Sequence, residues 1–219
     1  MSTTIYSFHW VFFVLVLGSL GFFLVSTAHA AESTDSGGYV LQIQLTPAQC
    51  LINASKQKQR KCLEGYALTI KGLLPEQQRD DCITDSSAKL SPLQERVVAR
   101  VMPDENARYA LWKNIGGCID SNASHYFRSI IHYAERLKIP TQLTDGADKV
   151  ADKTSLKNQF VRLNDNLTPS GIRLYCQNQK QSIFLVQVDV CYSKKGEFKK
   201  CEYQTATTCP ESFQIKGNY

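Results

Sequence analysis

Alternation of apolar and polar residues predicts strands near both ends of the chain. Residues 39–45 alternate with period two, the pattern of a half-buried strand, with Gln42 and Gln44 on one side and apolar residues on the other. Apolar and β-branched runs bounded by turn residues indicate three further strands, at 66–70, 172–175 and 182–190. Gly72 and Pro75 are expected to stop the strand at 66–70.

The middle of the chain carries helical signals instead. Ser91-Pro92-Leu93-Gln94 has the N-cap, the first-turn proline and the capping-box glutamine of a helix start, and Pro103 is expected to end that helix. Further helices are predicted from residue 104 to the glycine pair at 116–117, over 123–138 and over 155–163, with polar loops at 53–61 and 144–153. This order predicts an α+β domain, a mostly antiparallel sheet flanked by helices.

The first thirty residues contain no Lys, Arg, Asp or Glu, and residues 11–25 are an almost unbroken apolar run. The segment ends in Ala28-His29-Ala30, a small-x-small cleavage pattern, and polar sequence follows it. We therefore predict a signal peptide over residues 1–30, a single domain over residues 31–219, and export to the periplasm or the medium. An uncleaved anchor helix is the alternative, but the run is short for a span of about 20 residues. Once the signal peptide is removed, no membrane association is expected.

All eight cysteines lie after residue 30, at positions 50, 62, 82, 118, 176, 191, 201 and 209. An even number behind a signal peptide predicts four disulfides formed in an oxidising compartment. Zinc is the competing interpretation, but the sequence has neither C-x-x-C nor His-x-x-x-His, so we expect no metal and no cofactor. The net charge of +5 is compatible with an anionic partner and equally with a solvated basic surface.

Four pieces of the chain, in order, resemble the ribonuclease T2 family, particularly its bacterial periplasmic members. Residues 39–50 resemble its strand, Trp, Pro-turn and Cys segment, with Leu45 in place of the tryptophan. Residues 68–75 (LTIKGLLP) resemble the family signature FTIHGLWP, and residues 111–118 (LWKNIGGC) resemble EWxKHGTC. The fourth piece is the cysteine set of the C-terminal third. The resemblance covers nearly all of residues 31–219 and implies the fold of that family.

The resemblance also implies how the cysteines pair: Cys50–Cys62, Cys82–Cys118 and a nested arrangement with Cys176–Cys209 outside Cys191–Cys201. The Cys82–Cys118 bond is the informative one. It would hold the two signatures beside each other across a cleft.

Family members cleave RNA without a metal, through a 2′,3′-cyclic phosphate. One imidazole acts as base and a second as acid, while a lysine and a glutamate manage charge on the phosphorus. In this chain the catalytic positions fall on Lys71, Leu111, Asn114 and Ile115, and the tryptophan of the first signature falls on Leu74. None of the catalytic groups is kept. We therefore expect no catalytic residue and no ribonuclease activity of the family type.

Other residues of the chain are poorly placed to replace the lost groups. Two histidines follow residue 30, His125 and His132, and both lie outside the signatures. They are about 10 Å apart along one predicted helix, and we expect them to be surface or partly buried polar residues. Lys71 could act as a base only if strongly desolvated, because an ordinary lysine titrates at about pH 10.4. An active endoribonuclease with displaced catalytic groups remains the alternative function.

Leu74, Leu111 and Ile115 would turn a charged cleft wall into an apolar one. The result is either an apolar pocket for a partner or a cleft that has closed as core. The leading hypothesis is a monomeric binding protein that uses the remodelled cleft for RNA, a nucleotide or a protein partner. Lys71, Asn114 and the basic segment 56–61 could hold a phosphate, so any affinity for RNA is expected to be weak and to depend on salt.

Overall fold

Six strands form one sheet in the part of the chain that the computed structural model describes, residues 37–77, 81–202 and 208–218. The strands are β1 (Gly38–Leu45), β2 (Leu68–Pro75), β3 (Lys149–Asp152), β4 (Ile172–Gln179), β5 (Ser182–Ser193) and β6 (Ser212–Ile215). The helices are α1 (Thr46–Ile52), α2 (Arg60–Leu63), α3 (Pro92–Ala99), α4 (Glu105–Ile115), α5 (Ala123–Arg136) and α6 (Lys153–Leu163). The predicted signal peptide lies outside the described residues and stays a prediction.

The sheet has the order β2-β1-β5-β6-β3, and β4 also pairs with β5. Every pairing is antiparallel except a short parallel contact between β5 and β6. Alternation puts the apolar side chains of β1, among them Leu41 and Ile43, in the main core with Phe127 and Ile130 of α5. The predicted α+β class, with a mostly antiparallel sheet flanked by helices, is confirmed.

The start of α3 follows the predicted capping box. Ser91 Oγ accepts a hydrogen bond from the backbone N–H of Gln94, and Gln94 Oε1 accepts one from the backbone N–H of Ser91, both at 3.3 Å. The helix ends at Ala99, before the predicted end at Pro103. Turn hydrogen bonds continue to Met102, and the Val101 carbonyl accepts a hydrogen bond from the backbone N–H of Ile70 in β2, at 2.8 Å.

The second strand contradicts the predicted end at Gly72, because β2 runs on to Pro75. Gly72 lies opposite Gln42 in the ladder. A Cβ atom at Gly72 would lie 3.0 and 3.2 Å from the two methyl carbons of Leu111. The glycine therefore lets the Leu111 side chain of α4 pack directly on the strand, and it does not break the strand.

Two predicted polar loops contain regular structure. Residues 144–153 include β3, which pairs with β6 at the edge of the sheet, and Val150 of β3 is exposed. Polar and apolar residues do not alternate clearly in this edge strand, because it has four residues and one of its apolar side chains is exposed. The sequence pattern therefore did not predict it. Segment 53–61 reaches into α2, and the ammonium-bearing side chain of Lys61 is buried. The prediction of an exposed loop was wrong at that residue.

All four disulfides implied by the resemblance are confirmed, and they pair every cysteine of the chain: Cys50–Cys62, Cys82–Cys118, Cys176–Cys209 and Cys191–Cys201. Within the described ranges, no helix has both the length and the apolar character that a membrane span requires.

Candidate ligand-binding cleft

The two segments that resemble family signatures, in β2 and α4, are held together by aromatic packing. Tyr126 of α5 donates a hydrogen bond from Oη to the Leu73 carbonyl at 3.0 Å and accepts one from the Leu73 N–H at 3.2 Å. Its ring lies 5.6 Å from that of Trp112, and Trp112 Nε1 donates to the Ser86 carbonyl at 3.2 Å. Burial raises the pKa of Tyr126 far above its usual value, so the hydroxyl stays protonated as a donor.

The Cys82–Cys118 disulfide fixes the end of α4 from the other side. The Gly117 N–H donates to the Cys82 carbonyl at 2.8 Å, and the Thr84 N–H donates to the Lys113 carbonyl at 2.9 Å. A Cβ atom at Gly117 would lie 2.9 Å from the Ile83 carbonyl oxygen, so the backbones meet closely only because this residue is glycine. The bond therefore joins the segment after β2 to α4, as the resemblance implies.

The residues that the resemblance places at the family's catalytic positions, and Leu74 at its tryptophan position, lie in different environments. Ile115 is 6% exposed and belongs to the main core. Leu74 and Leu111 are half-buried and meet around Gly72, where both have methyl carbons within 3.4 Å of the position that a Cβ atom at that glycine would take. Lys71 and Asn114 are exposed. The apolar replacements could form either a pocket for a partner or part of the core. Ile115 is part of the core, and Leu111 packs over Gly72.

Two cavities lie on the polar face of the sheet. The first, the lysine cavity, has a volume of about 200 Å³ and is lined by Gln44, Lys56, Gln59, Lys61, Thr69, Ile70, Lys71, Met102, Pro103, Asp104 and Ala107. The second, the sheet cavity, has about 490 Å³ and is lined by Val40, Gln42, Leu74, Pro75, Glu76, Gln77, Arg173, Tyr175, Gln187 and Asp189. The two share a face because Gln42 and Gln44 are two residues apart on β1.

The backbone of β2 aims Lys71 into the lysine cavity. Gln42 pairs with Gly72 and Ile43 pairs with Ile70, so Lys71 is the extra residue of a β-bulge. Bulges redirect a side chain relative to the regular alternation of the strand. The residue that the resemblance places at the family's first catalytic histidine is therefore positioned by a local irregularity of the strand.

Lys61 is the buried cation of the lysine cavity. Its Nζ donates to Gln44 Oε1 at 3.1 Å and lies 3.6 Å from Asp104 Oδ2. Burial lowers the pKa of Lys61, the carboxylate of Asp104 opposes that change, and the charges of Lys56 and Lys71 add to it. Three lysines thus line a cavity whose described lining residues include one carboxylate, that of Asp104. The ammonium group of Lys56 also donates to Gln49 Oε1 at 3.4 Å.

The sheet cavity contains charged groups that the sequence did not single out. Arg173 of β4 lies directly opposite Asp189 of β5, and both are buried. Gln187 Nε2 donates to Asp189 Oδ1 at 2.7 Å. Arg173 Nη2 and Gln42 Oε1 are buried without a hydrogen-bond partner among the described residues. The signal that could have found these groups is the period-two placement of polar residues inside β-branched runs, Arg173 with Tyr175 and Gln187 with Asp189.

Burial raises the pKa of Asp189 to about 6, against the lowering effects of hydrogen bonds from Gln187 and Tyr175 and of the charges of Lys71 and Arg173. A rise from 3.8 to about 6 corresponds to about 3 kcal/mol of stability that is present below pH 4 and is lost as the pH rises through 6. The change Asp189→Asn is expected to remove most of this pH dependence. The measurement is urea unfolding at pH 4 and pH 7. Asp165→Asn, at an exposed carboxylate, is the control, and an unchanged difference between the two pH values in Asp189→Asn would contradict the assignment.

The histidines and the metal-ligand candidates contribute nothing to either cavity. His125 and His132 are exposed on α5 and line neither of them. Asp81, Cys82 and Cys118 have ligand atoms within 4.8 Å of one another. Both sulfur atoms are joined in a disulfide, so this group in the described part of the chain offers no thiolate to a metal.

Similarity to solved structures is clear although sequence similarity is low. The chain is similar to ribonuclease MC1 from bitter gourd seeds, with 21% identity, a TM-score of 0.60, and coverage of 81% of this chain and 98% of that one. For Japanese pear S3-RNase the identity is 19% and the TM-score 0.60, with coverage of 84% of this chain and 100% of that one. For the self-incompatibility-associated SF11-RNase of Nicotiana alata the identity is 13% and the TM-score 0.64, with coverage of 82% of this chain and 98% of that one. No protein-family model and no curated protein matches the sequence. These structures are T2-type ribonucleases, and the chain has the ribonuclease T2 fold.

Proposed function

We propose that this protein binds RNA in its cleft without cleaving it. The observation that carries the proposal is the lysine cavity, where Lys56, Lys61 and Lys71 line one small volume. Ammonium groups attract the phosphates of RNA, and this attraction supplies much of the affinity in protein–nucleic acid complexes. A cavity of this polarity suits a phosphate better than it suits the apolar anchors typical of protein partners.

The similar solved structures support a nucleotide-containing ligand for this fold. A variant of ribonuclease MC1 holds 5′-UMP, and ribonuclease NT holds 5′-AMP. In this chain the lysine cavity is lined by Lys71, which the resemblance places at the family's first catalytic histidine. A phosphate bound there would lie beside that position.

Catalysis is not part of the proposal because the described residues that line the cavity include no pair of imidazoles to act as acid and base. Each such group contributes a factor of roughly 10²–10⁴ to the rate. The described lining residues include no histidine, and Asp104 is the ion-pair partner of Lys61. Leu111 and Ile115 pack against the protein itself, at Gly72 and in the core, and have no group that transfers a proton.

The test combines binding with cleavage. A fluorescent single-stranded RNA is expected to bind at low salt, to weaken as salt rises, and to remain intact on a gel. Yeast RNA incubated from pH 4 to pH 8 is expected to stay uncleaved with the native protein and with Lys71→Ala alike. Absence of RNA binding at low salt would contradict the proposed binding function. Robust cleavage by the native protein that is lost in Lys71→Ala would show that the protein is instead an active endoribonuclease with displaced catalytic groups.

We also propose that the protein is an exported monomer, periplasmic or secreted. The support is the pairing of all eight cysteines, which is characteristic of proteins from oxidising compartments. N-terminal sequencing of the exported protein is expected to begin at Ala31. A chain that retains residues 1–30 would show that the apolar run is an anchor.

A further inference from the structure

We infer that the lysine cavity takes a phosphomonoester, the terminal phosphate of an RNA or nucleotide, in preference to a bridging phosphodiester. The inference rests on the proposed function and names the part of the ligand that enters the cavity. The charge of the cavity carries it, and one unpartnered acceptor among the lining residues supports a nucleotide as the ligand.

The first argument is the charge of the cavity. Lys56, Lys61 and Lys71 against Asp104 leave an excess of two positive charges among the described lining residues. A phosphomonoester carries a charge of about −1.5 to −2 at pH 7 because its second ionisation lies near pH 6. A bridging phosphodiester carries a single negative charge and would leave one ammonium group in the cavity without a counter-charge. The monoester therefore matches the cavity more closely.

The second argument is an unpartnered acceptor. Gln59 Oε1 is buried, its residue lines the cavity, and it has no hydrogen-bond partner among the described residues. A buried acceptor without a donor is costly, by about 1–3 kcal/mol in proteins generally. A ribose hydroxyl beside the bound phosphate is a donor of the required kind. The acceptor therefore supports a nucleotide as the ligand, and the charge of the cavity supports the monoester.

The repulsion between the cations supports the same assignment. The charges of Lys56 and Lys71 both act to lower the pKa of Lys61, in addition to burial. A dianion among these groups would offset the repulsion and favour the charged form of Lys61. Binding of such an anion is then coupled to relief of an unfavourable interaction in the free protein.

The experiment compares matched ligands. RNA oligomers of one sequence, with a hydroxyl or a phosphate at the 5′ or 3′ end, are titrated at pH 7, and methyl phosphate and dimethyl phosphate serve as small probes. At least one phosphorylated end is expected to raise affinity by 10-fold or more, and methyl phosphate is expected to bind where dimethyl phosphate does not. The advantage should shrink at pH 5, where the monoester loses its second charge. Lys56→Ala/Lys71→Ala should abolish it.

The outcomes separate the inference from the proposed function. Equal affinity for hydroxyl-ended and phosphorylated RNA, with no preference between the two small phosphates, would overturn the inference while RNA binding stands. Failure of all RNA oligomers to bind at low salt, with methyl phosphate still bound, would overturn RNA binding and support the monoester site. Failure of every probe would overturn both. Lys195→Ala/Lys200→Ala, at two exposed lysines that line neither cavity, is the matched control and should keep the preference.

Discussion

Replacement of Cys82 and Cys118 by alanine is expected to lower the free energy of unfolding by about 4 kcal/mol. The two cysteines are 36 residues apart in sequence. Their bond removes from the unfolded chain the freedom of a long loop, and the stabilisation grows with the logarithm of loop length. Urea unfolding, followed by tryptophan fluorescence, measures the change. Because the same bond ties α4 to the segment after β2, the loss should also weaken binding in the cleft.

The matched control is Cys191→Ala/Cys201→Ala. These cysteines are separated by 10 residues, so the same relation gives about 3 kcal/mol. Both pairs are largely buried, and the two double variants lose the same atoms. A larger destabilisation from the short loop than from the long one would contradict the loop-closure explanation. It would point to local packing at Cys191 and Cys201 as the dominant contribution.

The parts of the fold that the sequence predicts are those governed by local patterns. The strand β1 shows alternation because one of its faces is in the core and the other carries Gln42 and Gln44. The start of α3 is visible because the capping box is made by residues three positions apart. The short strands β3 and β6 have four residues each and pair at the edge of the sheet. Their formation depends on each other, which no local pattern records.

The residues of the candidate cleft were also predicted only in part from the sequence. Resemblance to the family signatures identified Lys71 and Leu111 and implied that β2 and α4 lie together, which the contact at Gly72 confirms. It did not identify Lys61, which is buried through its hydrogen bond to Gln44 on another strand. Its position beside Cys62, a disulfide cysteine, is a signal that the side chain is drawn toward the protein. The period-two spacing of Gln187 and Asp189 is a local signal for that carboxylate, but sheet register is what places it opposite Gln42.

The variant Lys56→Ala/Lys71→Ala is expected to weaken binding of single-stranded RNA by 10-fold or more at low salt. Each lysine–phosphate contact contributes about −0.7 to the slope of log K against log salt concentration for single strands. Loss of two contacts should therefore make that slope shallower by about 1.4. Lys71 is exposed and Lys56 is half-buried, and truncation of both leaves Lys61 and its contacts with Gln44 and Asp104 in place. The measurement is fluorescence anisotropy across a series of salt concentrations.

The slope distinguishes a phosphate contact from a general effect of charge. Lys195→Ala/Lys200→Ala lowers the net charge by the same amount at exposed positions away from both cavities. A protein that attracts RNA only through its overall positive charge should respond equally to the two double variants. A site formed by the lysine cavity requires the slope to change for Lys56→Ala/Lys71→Ala and to stay constant for the control. An equal change of the salt slope in both double variants would therefore show that RNA does not bind in the lysine cavity. The contribution of the lysines to affinity would then depend on the net charge of the protein and not on their position.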